Sequence, residues 1–535
     1  MSNIITHFFL FLLIVISNGF IFFKLFFFKN LKLNLFETSI LGLVATAFLA
    51  QLFNFFIPLN DFVIYHNLFI NGAILLIYRK KLHISFNKLT TVILLAILFL
   101  SLVQIYSSEF SDDLAHYHGG QIINSDNSKY IVGINFLHHH YGYGSLWLLL
   151  HSYLNLNGNF LQDIHVVNAI TIFLILSYFV TEFIKRDDNN NSFLYVLLAI
   201  FILFFLMKYT RLKEFGLDRP GILFFGFVTY LSFKYKNILA SHQSDIIILT
   251  LIISLFLTGI KLFFIFSFAI PLFLIVKFRN CKFFWKKEFI FLTIFGLGYL
   301  GKNILWTGCL IYPLYFTCFE QLSWNSKDIA YKIMSTIEAH TKGYDSYKGL
   351  FLKQEYLKDY NWVQTWFGIV SEEFLTYLGL SAFIIVIIVA STKAIKNTSQ
   401  LLWEKSLLVV LFLTNLILFL KTPVIRYHHT LFLLATALVL VFLKRDFMGR
   451  KTIFNSVLIT LFVFNLGKNL ARIYKNDYFN NPIHHLKEIK WYQEPIQKKL
   501  DSFIYYNGWI AAFPIGNESL KKYKHKKIFF DIIYK

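Results

Sequence analysis

Residues 192–208 read SFLYVLLAIFILFFLMK, a run with no charge between Ser192 and Lys208. A helix built from it is apolar on every side, and lipid is the solvent that tolerates such a helix. Runs of this kind recur along the chain. Measured against the ~20 residues that cross a bilayer, spans are expected near residues 5–23, 35–57, 61–78, 90–106, 163–184, 192–208 and 221–233. Others are expected near 246–260, 262–276, 288–305, 373–391, 404–420, 429–443 and 453–470. The expected fold is all-α, a polytopic integral membrane protein with about 14 transmembrane helices.

The composition points the same way. Of 535 residues, 56% are hydrophobic and 15% charged, against about 25% charged in ordinary soluble domains, and the mean hydropathy is +0.57. No single globular core absorbs that much apolar surface. The formal net charge of +21 would suit nucleic acid if Lys and Arg gathered on one soluble face. They are scattered between apolar segments instead, so no nucleic-acid partner is expected and the lipid bilayer is the first partner. After MSNIITH the chain shows neither a basic n-region nor a small-residue cleavage site. The first apolar run therefore reads as a retained span rather than a signal peptide.

Positive residues in short loops stay cytoplasmic. Lys24, Lys29 and Lys32, then Arg79, Lys80, Lys81 and Lys88, then Lys277, Arg279, Lys282, Lys286 and Lys287 mark that side. Lys393 and Lys396, and Lys444, Arg445, Arg450 and Lys451, mark it again. The N-terminus then lies outside, and the outer face receives residues 107–141, residues 306–372 and the tail after 471. This divides the chain into a transmembrane domain, 1–470, and a small extracytoplasmic C-terminal segment, 471–535, whose FIYYNGWIAAF is β-prone. The stretch GYGSLWLLLHSYLNL, 142–156, is too short for a span, although counting it as one would invert the next few loops. It is expected as a partly inserted or interfacial helix, because Trp and Tyr favour the headgroup level, and the topology of 142–220 stays open. Cys309 and Cys318 can bridge only in an oxidised loop. The expectation is two separate small apolar side chains at a membrane edge.

Long segments between spans tend to carry function. The first outer loop, SSEFSDDLAHYHGGQIINSDNSKY, places Asp112 and Asp113 just past the fourth span, and a helix through them would set His116 and Tyr117 one turn on, with His118 beyond. Adjacent carboxylates at a lipid interface are costly unless water, a cation or a base partner is present. They read either as a general base or divalent-ion ligand, or as a solvated acidic loop. His138, His139 and His140 read as a hydrated helix start or as metal ligands. Lys213, Glu214, Asp218 and Arg219, in KYTRLKEFGLDRPG, form either a cytoplasmic basic loop or an outer phosphate-holding group. Lys261 between two apolar runs either snorkels to headgroups or binds phosphate. Lys302 and Asn303 near a span end, and Arg426 and Tyr427 in KTPVIRYHH, complete the candidates. A cation such as Arg426 on the outer side is explained by an anionic ligand.

At these residues the chain resembles the GT-C class of membrane glycosyltransferases, the superfamily of protein O-mannosyltransferases and lipid A aminoarabinose transferases. The resemblance lies in the acidic pair Asp112 and Asp113 after an early span and in the His-containing HHHYGYGSLWLLL that follows, which lacks the two prolines of the family's His-Pro-Pro lead-in. The chain looks closest to an uncharacterised bacterial branch, through Lys213-Glu214-Phe215-Gly216-x-Asp218, through Lys302-Asn303 with Gly308 and Tyr312-Pro313, and through Pro423-x-x-Arg426-Tyr427.

The resemblance implies transfer of a sugar from a polyprenyl-phosphate-sugar donor to a glycan, lipid or protein acceptor on the outer face of the bacterial cytoplasmic membrane. Asp112 or Asp113 would be the base, and Lys261, Lys302 and Arg426 would hold the lipid phosphate. His116, Lys213, Glu214, Asp218 and Tyr427 would belong to the substrate site, and a divalent cation, Mg or Mn, would be optional. Two rivals remain open. One is an O-antigen polymerase or ligase, relying on outer-loop Arg and His. The other is a transporter or flippase, which would place polar residues at broken helices in mid-membrane.

Overall fold

The computed structural model describes residues 2–28, 31–78, 88–107, 113–156, 160–185, 192–208, 216–235, 239–279, 282–349, 352–391, 393–394, 402–443, 445–446, 451–475, 496–500, 503–507, 524–527 and 531–534. Apolar runs become helices because a backbone removed from water must bond within its own segment. The first part of the chain forms α1 (Ser2–Gly19, continued as a π-helix to Phe27), α2 (Leu35–Asn54), α3 (Asp61–Tyr78) and α4 (Lys88–Tyr106). Two short helices follow, α5 (Gly119–Asn127) and α6 (Leu146–Tyr153). Next come α7 (Phe160–Lys185), α8 (Ser192–Lys208), α9 (Asp218–Lys234), α10 (Leu239–Ile260), α11 (Ala269–Phe278, after a 3-10 turn Leu262–Phe268) and α12 (Lys287–Thr307). The remainder holds α13 (Lys327–Thr341), α14 (Lys353–Tyr356), α15 (Trp362–Ser391), α16 (Leu402–Lys421), α17 (His429–Phe442) and α18 (Lys451–Lys475).

A helix overlies each expected segment. By length and apolarity, nine of the described helices are sufficient to cross a membrane, and three shorter apolar helices accompany them. The structure is that of a helical membrane protein. Its centre is α7, whose most apolar window is 94% buried, whereas that of α18 is 17% buried at the rim. Side chains such as Phe69, Val276 and Ile417 point outward, as lipid-facing residues do. α1 and α2 cross so closely that a Cβ on Gly42 would collide with the Val15 carbonyl, the small-residue contact that lets membrane helices approach.

Polar ties pin the two ends of the bundle. At one end, Lys234 of α9 bridges Glu37 of α2 at 2.7 Å and Glu182 of α7 at 2.9 Å, and Tyr178 and Tyr235 donate to Glu37 at 2.8 and 2.9 Å. Lys286 reaches Asp245 at 3.1 Å at the start of α10, and the short strands β1 (Lys393–Ala394) and β2 (Arg445–Asp446) pair nearby loops. At the other end, His7 of α1 meets Asp163 of α7 at 2.6 Å. Consecutive helices thus run alternately between the ends, and the helix starts at Asp218 and His429 join the end that carries His7.

Residues 142–156 form no crossing helix, as expected, but depart from expectation in being enclosed by protein. The eight-residue α6 is buried, with Trp147 fully enclosed and packed near Phe224 and Phe256. Aromatic side chains serve as core as readily as interface anchors when other helices close over them. Because α6 does not cross, Asp218 falls at the same end as the first long loop. Cys309 and Cys318 also depart from expectation, since they form a disulfide. The β-prone tail holds the hairpin β3 (Ile496–Leu500) and β4 (Phe503–Asn507), then β5 (Lys524–Lys527) and β6 (Asp531–Tyr534). β6 docks on the loop after α5: Val132 donates to Asp531 at 2.8 Å and accepts from Ile533 at 3.0 Å. Gly133 of the same loop donates to Leu305 at the end of α12, and Asn135 bonds Ser326. The described parts of the three long connecting pieces that meet here therefore assemble over one end of the bundle.

Candidate functional site at the loop-covered end

The site begins beyond α4, at Asp113. Residues Leu114–His118 form a π-helical turn that leads into α5 and carries Tyr117 inward. The Tyr117 ring stacks on His140 at 4.7 Å, and His140 lies 5.7 Å from Tyr143. Burial first, and then the Asp113 carboxylate with Tyr427, Tyr143 and Asp218 near it, raises the pKa of the Tyr117 phenol, so it stays a proton donor. Burial, reinforced by the positive charge of Lys261, lowers His118 to about 3, so it is neutral.

Asp218 opens α9, and Lys261 follows the last turn of α10. Their side chains meet at 2.6 Å, each part-exposed, with the Lys261 ammonium 3.2 Å above the Tyr427 ring. The backbone at this point is tied to the histidine loop, because Ser145 donates to the Ile260 carbonyl at 2.8 Å. Arg426 and Tyr427 lie in a 3-10 turn between α16 and α17. That turn is held from below by buried His428, bonded to Asn415 at 2.8 Å and to the Thr422 carbonyl at 3.0 Å, and by Trp366, which donates to the Pro423 carbonyl at 2.6 Å. Phe263, next to Lys261 in chain and space, packs edge-on against His428 at 4.5 Å. Desolvation opposes the charge of Arg426, but Tyr427, Asp218 and Asp113 outweigh it and raise its pKa. The result is an assembly of two carboxylates, two cations and a cluster of tyrosines and histidines.

Of the residues expected at a site, Asp218, Lys261, Tyr427 and Arg426 come into contact, and the Asp113 carboxylate acts on Arg426 and Tyr117 through its charge. Asp112, Lys213 and Glu214 lie outside the described residues, as does the His116 side chain. Lys302 stands apart. It is wholly buried, donates to the Gly144 carbonyl and lies 4.8 Å from the Tyr299 ring and 5.1 Å from that of Trp306. Its ammonium therefore supports the loop that carries His140 and Tyr143. Tyr312 supports the loop from the opposite side by donating to the His139 carbonyl at 3.1 Å. His140 enters the sequence reading only as one of the histidine run, and Tyr143 is not singled out there. The signal available for Tyr143 is its place in a glycine-punctuated loop after the triple histidine.

The acidic site residues and the histidine run differ as metal holders. The ring nitrogens of His138, His139 and His140 lie within 4.8 Å of one another. Imidazole nitrogens suit zinc or other transition metals, whereas Mg and Mn prefer oxygen ligands. The trio therefore fits a Mg or Mn ion poorly.

The family described as Domain of unknown function (DUF8201) matches residues 1–434. The chain belongs to that family. No curated protein and no solved structure matches it. In this DUF8201 member the matched region runs into α17, so it contains every site residue from Asp113 to Tyr427 and leaves out the tail strand that docks on Val132.

Proposed function

We propose that the chain is a GT-C-like membrane glycosyltransferase that moves a sugar from a polyprenyl-phosphate-linked donor to an acceptor on the outer face, in assembly of a cell-surface glycan or glycolipid. The observation that carries this reading is the contact of Asp218, Lys261, Tyr427 and Arg426, from segments far apart in sequence, within the electrostatic reach of Asp113. A carboxylate and two cations in one place are what an inverting transfer uses. The acceptor hydroxyl attacks the anomeric carbon, its proton passes to the Asp113 carboxylate, and the bond from that carbon to the lipid phosphate oxygen breaks. The charge left on the departing phosphate is stabilised by Arg426 and Lys261. Asp218 and the Tyr427 ring orient the Lys261 ammonium, and the neutral Tyr117 phenol is a further donor.

The Cys309–Cys318 disulfide favours an oxidising compartment for the loop-covered end. The Lys- and Arg-rich short loops at the other end favour the cytoplasm there. Together they support a multi-pass topology of about 14 spans, with the site on the outer side of the bacterial cytoplasmic membrane.

The test is transfer of radiolabelled sugar from a set of polyprenyl-phosphate-sugars to membrane lipid extracts. Asp113→Asn is expected to lower the rate by about 10²–10⁴-fold, the usual contribution of a positioned base, with the unfolding temperature unchanged. Full activity in both Asp113→Asn and Asp112→Asn would remove the proposed base. His118, which feels the charges of both His140 and Arg426, favours a second reading, an O-antigen polymerase or ligase-like enzyme. In that enzyme Arg426→Ala would abolish activity and Asp113→Asn would spare it.

A further inference from the structure

Carboxylates gather a second time at the loop-covered end. Asp61 opens α3, Asp126 lies in the last turn of α5, and Asp163 lies in the first turn of α7. Leu59, just before α3, donates its amide to the Ser125 carbonyl at 2.9 Å, which sets the start of α3 against the end of α5. Asn155, in the turn after α6, links the other two. Its side chain hydrogen-bonds Asp126, and the amide of Leu156 beside it donates to Asp163 at 3.1 Å. The charge of Asp61 reaches both Asp126 and Asp163.

Like charges held together away from bulk water repel one another. His7 answers Asp163 at 2.6 Å. No cationic side chain among the described residues answers Asp126, where burial and then Asp61 push the carboxyl up to about 7 against the hydrogen bond from Asn155. Asn155 supplies an independent sign. It is 2% exposed, and its Oδ1 has no hydrogen-bond partner among the described residues, although buried polar atoms are nearly always bonded. That oxygen belongs to the same carboxamide whose N–H faces Asp126, so it borders the carboxylates. A water satisfies the oxygen but leaves the repulsion standing, whereas a cation answers both. The donors are carboxylate and amide oxygens, a set that suits Ca²⁺ with its flexible coordination. Mg²⁺ demands a stricter octahedron, and imidazole and thiolate are the ligands that favour transition metals.

We infer that Asp126, Asn155 and Asp61 form a site for a Ca²⁺ ion, with the Asp126 carboxylate and Asn155 Oδ1 as ligands and Asp61 supplying a second negative charge. The ion ties the start of α3 and the turn after α6 to the end of α5. Because α5 continues the π-helical turn that carries Tyr117, the site braces the first long loop. It is built from residues other than those proposed for catalysis and does not depend on the transferase reading.

The experiment measures binding of radioactive Ca²⁺ to the full chain in nanodiscs of phosphatidylcholine, with thermal unfolding in Ca²⁺ and in EGTA alongside. Wild type is expected to bind the ion and to unfold at a higher temperature in Ca²⁺ than in EGTA. Asp126→Asn is expected to weaken binding by about tenfold or more and to remove the effect of Ca²⁺ on unfolding. Asn155→Leu, which deletes the oxygen at similar volume, does the same and decides the matter should the first variant fail to fold. Asp113→Asn binds Ca²⁺ as wild type does. Absence of binding by wild type overturns the site, and so does wild-type affinity retained in either Asp126→Asn or Asn155→Leu. Binding lost in Asp113→Asn and kept in Asp126→Asn overturns it as well, by placing the ion beside the proposed base.

Discussion

Asp113 and Arg426 are brought into one field by folding, and each alters its neighbours there. The Asp113 carboxylate helps to keep the Tyr117 phenol protonated and the Arg426 guanidinium charged. His118 shows the opposite effect, because it is enclosed with no charge of its own to gain. In the folded chain it takes up a proton at about pH 3, and in the unfolded chain near 6.5. The unfolded state therefore binds the proton first, and stability falls as pH drops from 6.5 toward 3. At pH 5 this one residue is expected to cost about 2 kcal/mol relative to neutral pH. Chemical denaturation of wild type and His118→Asn at pH 5 and 7.5 measures it, and equal acid sensitivity in both would show that His118 is not the source. Sequence marked Asp113, Asp218, Lys261, Arg426 and Tyr427 as unusual because charge at a span end needs a reason. It could not pair them, since the pairing is a property of distance in space.

At the level of elements, the loop from His138 to Ser145 is the piece that brings ring groups against Tyr117. It is shaped by Gly144, which has φ of +52°, and a Cβ there would come 2.5 Å from the Lys302 ammonium and 3.2 Å from the Trp306 ring. Gly144→Ala is accordingly expected to destabilise the protein by about 1–3 kcal/mol. It should also lower transfer, by moving His140 and Tyr143 away from Tyr117. Thermal unfolding together with the transfer rate tests this, and unchanged values for both would show that the loop tolerates the displacement. Lys302 was legible in the sequence as an unlikely charge inside an apolar run. Its use was not, because its acceptor Gly144 is 158 positions away. The short α6 was misplaced for a related reason: hydropathy reports that Trp147 avoids water, but not whether lipid or protein receives it.

For the whole molecule, the alternation of helices places the long loops at one end, and β6 of the tail closes over the loop that begins at Val132. Removing residues 524–535 deletes that strand and leaves every apolar helix in place. Membrane insertion is therefore expected to persist while the loop loosens and transfer falls, by about tenfold if the lost order is worth about 1.4 kcal/mol. Membrane fractionation and the transfer assay on the truncated chain separate the two effects, and undiminished transfer would show that the tail strand does not brace the site. Sequence alone determined that this is a helical membrane protein and where its helices run, and it grouped the loops by end except within 142–220. Those features follow from local free energies of transfer and from charge near span ends. The tertiary structure decided which charges meet, that α6 is core, that Cys309 bonds Cys318, that Lys302 supports a loop, and that the tail docks on Val132. Each of these depends on contacts between residues distant in sequence, and no local hydropathy or charge pattern encodes such a distance.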